Sequence, residues 1–172
     1  MQPYTHFVIG GALGACLFPN EQILQLSCAV GGVIPDLAAA PQYAIDLIAG
    51  RKPMTKQSDR LILLKEISHS LPIWILAVII IIVSKSIWPD FIYQMIMVAM
   101  IGWFSHIPVD AISHNNPKFA KEDLTLMWPL GMKMHIGNWD YRYDYGVLKP
   151  KPFELFLCVA LIILVAIFNV VR

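Results

Sequence analysis

Three stretches of this chain run for 17 to 19 residues without a single Asp, Glu, Lys or Arg: residues 67–84, 91–109 and 155–171. A helix needs about 20 predominantly apolar residues to cross the hydrocarbon core of a bilayer, so each stretch reads as a span. Two shorter charge-free stretches, residues 7–20 and 22–35, precede them and are separated only by Glu21. At 14 residues each, they suit a buried or re-entrant hairpin better than two full crossings. Their Gly10-xxx-Gly14 spacing lets a neighbouring helix approach closely, which is packing rather than chemistry. Composition agrees, with 57% hydrophobic and 15% charged residues, where soluble domains average about 45–50% and about 25%. The expected fold is all-α: a polytopic membrane protein of about five hydrophobic helices, three clear spans plus a short N-terminal hairpin.

The 172 residues suffice for one membrane-embedded domain, 1–172. A net charge of +1 offers no basic field for nucleic acid. Cys16, Cys28 and Cys158 are scattered through apolar runs, so neither a disulfide frame nor a thiolate zinc site is indicated. No Lys or Arg precedes the first apolar stretch, so the N-terminus is expected to be retained rather than cleaved as a signal peptide. The polar stretches 37–66 and 113–151 carry turn and cap residues and read as short surface helices and loops.

If the five segments alternate in direction, the N-terminus and both polar stretches share one face. That face holds eleven of the thirteen Lys and Arg residues, leaving Lys85 and Arg172 opposite. The positive-inside rule makes the loaded face cytoplasmic.

The same arrangement sorts the histidines and acids. His6 precedes the first segment, Asp36 ends the second, His69 opens the third, and His106 and Asp110 close the fourth. Five residues from four segments thus arrive at one membrane face. His106 and Asp110 are four apart and project from one side of a helix, and His114 repeats the step if the helix continues. Imidazole and carboxylate without thiolate suit a catalytic divalent ion, zinc foremost, with manganese or iron as alternatives. Each residue alone has a plainer reading. A histidine at a helix end is commonly a cap, Asp36 can begin a turn, and His106 with Asp110 can be a pair joining two helices. Ionisable groups at membrane depth are costly, and their coincidence favours a shared site. His135, isolated among lysines, reads more readily as a surface residue.

The ordered set Thr5-His6, Ile34-Pro35-Asp36, His69-Ser70, Ser105-His106-xxx-Asp110 and Leu126-Met-Trp-Pro129 resembles the bacterial and archaeal inner-membrane family of membrane-bound metal-dependent hydrolases, whose best-known member is described as a LexA-binding inner-membrane protein. The resemblance covers roughly Tyr4 to Leu130 and implies a multi-pass protein of the inner, cytoplasmic membrane. A more distant similarity is to the zinc phospholipase C and P1 nuclease group. That similarity implies one metal on His69, His106 and Asp110, with Asp110 bridging to a second that also takes His6. Asp36 would sit beside the bound water as ligand or general base, and His114 lies near a further ligand position. The late His-xxx-Glu of that group is missing, since His135 is followed by Asp140, so one or two ions are expected rather than three.

A metal at the site would lower the pKa of bound water and polarise a phosphoryl or acyl oxygen, with Asp36 accepting a proton or orienting the water. The expected partner is membrane lipid, and the expected substrate an anionic lipid or lipid-linked phosphoester. Ser70, Trp128, Lys133, His135 and Arg142 are the candidate substrate-binding residues. The basic loop residues are equally explained by the positive-inside bias, and the aromatic run Trp139–Tyr145 by interfacial anchoring. The competing reading is a membrane anchor or interaction protein with a structural metal site. A transporter is disfavoured, because the apolar segments carry no ionisable residues beyond the site.

Overall fold

The computed structural model of the chain describes residues 3–37, 40–50, 59–113, 129–130 and 152–171. Every regular element among the described residues is helical: α1 Pro3–Leu17, α2 Gln22–Leu37, α3 Ala40–Ile48, α4 Asp59–Ser68, α5 Leu71–Val83, a 3₁₀ turn Lys85–Ile87, α6 Asp90–Ser113 and α7 Pro152–Val171.

Helix α2 is the hub, packed on α1 along one side and α6 along the other, while α7 lies against α1 and α5 against α6. Small residues make that position possible. A Cβ added at Gly10 would stand 2.6 Å from the Cys28 carbonyl oxygen, and one at Gly32 would stand 2.6 Å from that of His6. On the other side, a Cβ at Gly31 or Gly102 would run into the Ala99 or Cys28 carbonyl respectively. Backbone meets backbone along both seams, and on the α1 side this is the close approach that the Gly10-xxx-Gly14 spacing suggests. Gln25 closes the α1–α2 connection, its Nε2 donating to the Phe18 and Pro19 carbonyls at 2.8 and 3.0 Å.

A small apolar core is joined at one end by buried polar side chains, while much of the exterior is apolar. His6, His69 and His106 are the largest fully buried side chains, whereas Ile75, Leu76, Ile79, Ile80, Ile82 and Val83 of α5 are exposed. In water such an exterior would be a large unfavourable apolar surface; against lipid tails it costs nothing. Among the described residues, one helical stretch, Asp90–Ala111, is long and apolar enough to cross a membrane by length and composition, and Gln22–Leu37, Leu71–Val83 and Leu155–Phe168 are shorter apolar helices.

The third charge-free stretch departs from its reading as a single span. It is broken at His69-Ser70, with α4 ending at Ser68 and α5 occupying only Leu71–Val83. The cause is local. Ser70 adopts extended backbone and its hydroxyl accepts from Ile73 N at 3.4 Å, a proline stands in the first turn, and Ser84 caps the far end.

Candidate metal centre

Four chain segments deliver the site. α1 begins with His6 in its first turns, α2 places Asp36 in its last, the α4–α5 junction presents His69, and the final turns of α6 carry His106 and Asp110. Since α2 and α6 both end here and α1 begins here, the histidines and acids expected on one face do meet at one end of the helices.

The distances are short and regular. His69 Nε2 and His106 Nε2 lie 3.0 Å apart, and each is 3.1 Å from Asp110 Oδ2. Asp36 Oδ1 stands 3.9 Å from both nitrogens. His6 approaches from the far side, its Nε2 3.0 Å from Asp110 Oδ1 and its ring stacked on His106 with centroids 3.6 Å apart. Asp36, His69, His106 and Asp110 each offer a ligand atom, all within 4.8 Å of one another, so this group can hold a metal ion.

Hydrogen bonding behind the rings decides what the facing atoms are. His106 Nδ1 lies 2.7 Å from the Gly32 carbonyl oxygen. A carbonyl only accepts, so Nδ1 carries the hydrogen and Nε2 of the neutral ring presents a lone pair. The Ser68 hydroxyl donates its one hydrogen to the Pro35 carbonyl at 3.0 Å, which leaves its oxygen to accept from His69 Nδ1, also at 3.0 Å. His69 Nε2 then presents a lone pair as well. With both rings neutral, two nitrogen lone pairs and a carboxylate oxygen face one another in a buried place, an arrangement that a metal ion, or a proton shared with Asp110, would relieve. Backbone or side-chain acceptors on the outer nitrogen are the usual way a metal-binding histidine is oriented.

The three tight atoms also have the right size. Bonds of about 2.0–2.1 Å in a tetrahedral zinc site put neighbouring donors about 3.3 Å apart. The observed triangle, with edges of 3.0, 3.1 and 3.1 Å, is close to one face of that tetrahedron. Asp36 stands off this face, and its side chain is 19% exposed where those of the other four residues are sealed. Among the described residues its Oδ2 has no hydrogen-bond partner, and the same holds for His6 Nδ1 and Thr5 Oγ1.

The remaining candidates divide. Ser70 is fully buried and caps α5, which is a structural use of its hydroxyl. His114, Trp128, Lys133, His135 and Arg142 lie outside the described residues. Three further contributors surround the cluster: the Ser68 hydroxyl, the Gly32 carbonyl, and Trp103, whose Nε1 donates to the Ser68 carbonyl at 2.8 Å. Ser68 had a signal in its place beside His69, but a backbone carbonyl has none.

A family model described as YdjM inner membrane protein matches residues 1–172. No curated protein and no solved structure matches the chain.

Proposed function

The chain belongs to the YdjM inner membrane protein family, and from that premise we propose that it is a metal-dependent hydrolase acting on a lipid or lipid-linked phosphoester. The observation that carries the reading is the buried triangle of His69 Nε2, His106 Nε2 and Asp110 Oδ2, with Asp36 set back at 3.9 Å. Three close protein donors and one open position are the pattern of catalytic zinc sites, whereas structural sites are closed by four. A divalent ion held there supplies Lewis acidity and brings the pKa of a bound water toward neutrality.

The chain's own residues do the rest. His69, His106 and Asp110 hold the ion, with the two rings aimed by Ser68 and Gly32. Asp36, with an oxygen unpartnered among the described residues and a partly exposed side chain, would accept a proton from the attacking water. His6 buttresses the opposite oxygen of Asp110 and stacks on His106, either as a support or as a ligand to a second ion. Zinc suits the donor set best, with manganese or iron as alternatives. In the membrane we read α1 and α2 as a hairpin and α5, α6 and α7 as crossings. The site then lies at the cytoplasmic face, where eleven of the thirteen Lys and Arg residues gather and an anionic headgroup is within reach.

Metal content of the detergent-purified protein, measured by plasma mass spectrometry beside Asp110→Ala, tests the centre. About one or two equivalents of zinc, manganese or iron, lost in the variant, is the expected result. Hydrolysis of a nitrophenyl phosphodiester and of short-chain phospholipids then tests the reaction. A folded protein that stays empty after reconstitution would sink the hydrolase. One observation favours a second reading: Asp36 makes a fourth donor within 4.8 Å of the others, and if it closes the coordination the site is structural and the protein an anchor. Cobalt substitution separates the two, since an open position changes its visible spectrum on adding azide and a closed one does not.

A further inference from the structure

We propose that Ser68 is a positioning residue for the centre: its hydroxyl fixes the ring of His69 with Nε2 toward the ion and locks the α4–α5 break onto α2 beside Asp36. This rests on the metal reading above and adds a residue to it. Three helices converge on Ser68. Its hydroxyl donates to the Pro35 carbonyl of α2 at 3.0 Å and lies 3.0 Å from His69 Nδ1, while its carbonyl accepts from Trp103 Nε1 of α6 at 2.8 Å.

The need for such a device follows from where His69 stands. The other two histidines belong to helices whose backbones aim them, whereas His69 sits at the break between α4 and α5. Nothing in the helical repeat sets its ring, so a hydroxyl one residue away does so. Because the Ser68 hydrogen goes to a carbonyl, the oxygen can only accept from His69, and this selects the tautomer that leaves Nε2 bare. Pro35 immediately precedes Asp36, so the same hydroxyl ties the distance between His69 and Asp36 to a hydrogen bond. Threonine keeps the oxygen and its hydrogen, and alanine removes both.

Zinc affinity of the full-length protein in detergent, for wild type, Ser68→Ala and Ser68→Thr, is the first arm. The second is the imidazole nitrogen spectrum of histidine-labelled, metal-free protein, with His69 assigned by its absence in His69→Gln. Ser68→Ala should bind zinc about 10–100-fold more weakly, as loss of an outer-sphere partner commonly does, and Ser68→Thr should recover wild-type affinity. The His69 ring should be protonated at Nδ1 in wild type and Ser68→Thr, and shift toward Nε2 in Ser68→Ala. Unchanged affinity and tautomer in Ser68→Ala would overturn the proposal, as would Ser68→Thr behaving like alanine. A wild type that binds no zinc would overturn the metal reading instead, and the nitrogen spectrum would still decide whether Ser68 sets the ring. If Ser68→Ala fails to fold, Trp103→Phe, which removes only the bond to the Ser68 carbonyl, should weaken zinc binding by less than about tenfold; a larger loss, or none, counts against the proposal.

Discussion

Gly32→Ala is the substitution that couples helix packing to the centre most directly. The added Cβ would stand 2.6 Å from the His6 carbonyl oxygen and 3.3 Å from its carbon, and both are backbone. Ordinary carbon–oxygen contact begins near about 3.3 Å, so the α1–α2 seam must open by about 0.7 Å. Carried through to the His6 ring, that opening takes the 3.0 Å approach of Nε2 to Asp110 Oδ1 to about 3.7 Å, beyond hydrogen-bonding range. Overpacking of this kind costs about 1–3 kcal/mol, and alanine's helix propensity returns about 1 kcal/mol. The net is a loss of about 0–2 kcal/mol, with zinc binding weakened because Gly32 also supplies the carbonyl that orients His106. Gly11→Ala is the internal control, since among the described residues its Cβ meets only the Ala29 Cβ at 3.5 Å. It should gain about 0.5–1 kcal/mol from propensity alone and leave zinc affinity untouched. Thermal unfolding in detergent and zinc titration of the two variants side by side make the assay. If Gly32→Ala were stabilised like Gly11→Ala and bound zinc normally, the seam would not set the site and the reasoning would be refuted.

Other outcomes follow from the same geometry. Zinc at a hundred times its dissociation constant should raise stability by about 2.7 kcal/mol, and chelator or Asp110→Asn should abolish the increment; a melting curve with and without zinc checks it. Ser70→Ala removes the cap of α5 and should cost about 1 kcal/mol, measured by unfolding, with Ser70→Thr largely neutral. Trp74→Phe removes the 2.8 Å hydrogen bond that the α5 indole donates to the Met100 carbonyl of α6; that carbonyl keeps its helical partner, so the loss should be about 0.5–1.5 kcal/mol, read from the same unfolding curve with metal content unchanged.

Much of this was legible from residue type and position. Charge-free length located α6 and the helical cores around it, because a bilayer tolerates few unpaired charges. Histidines and acids at segment ends predicted one cluster, and the i, i+4 pair His106 and Asp110 does face one point. The break at His69-Ser70 escaped the charge count, which treats Ser, His and Pro as permitted and so ran 67–84 together. The capping serine and the proline of Ser68-His-Ser-Leu-Pro72 were visible there, and they do mark the entry to α5, with Ser70 as its cap. What aims the rings was least legible. The acceptor on His106 is the main-chain oxygen of a glycine 74 positions away, and only the close approach of α2 to α6 brings it there. The glycines behind that approach, Gly31 and Gly102, are not the Gly10-xxx-Gly14 pair that the spacing pointed to.

The shortness of α5 has a consequence for the bilayer. Its 13 residues span about 20 Å, against a hydrocarbon thickness near 30 Å. With Lys85 anchored at the far headgroups, the start of the helix, and His69 beside it, would stop about 10 Å short of the near surface. Such hydrophobic mismatch is relieved by local thinning of the membrane or by water drawn down to the polar end of the helix. On the proposed reading, either response would bring the site to the ester linkages just beneath the headgroups. A lipid would then present its phosphate by sinking slightly in place, without leaving its leaflet.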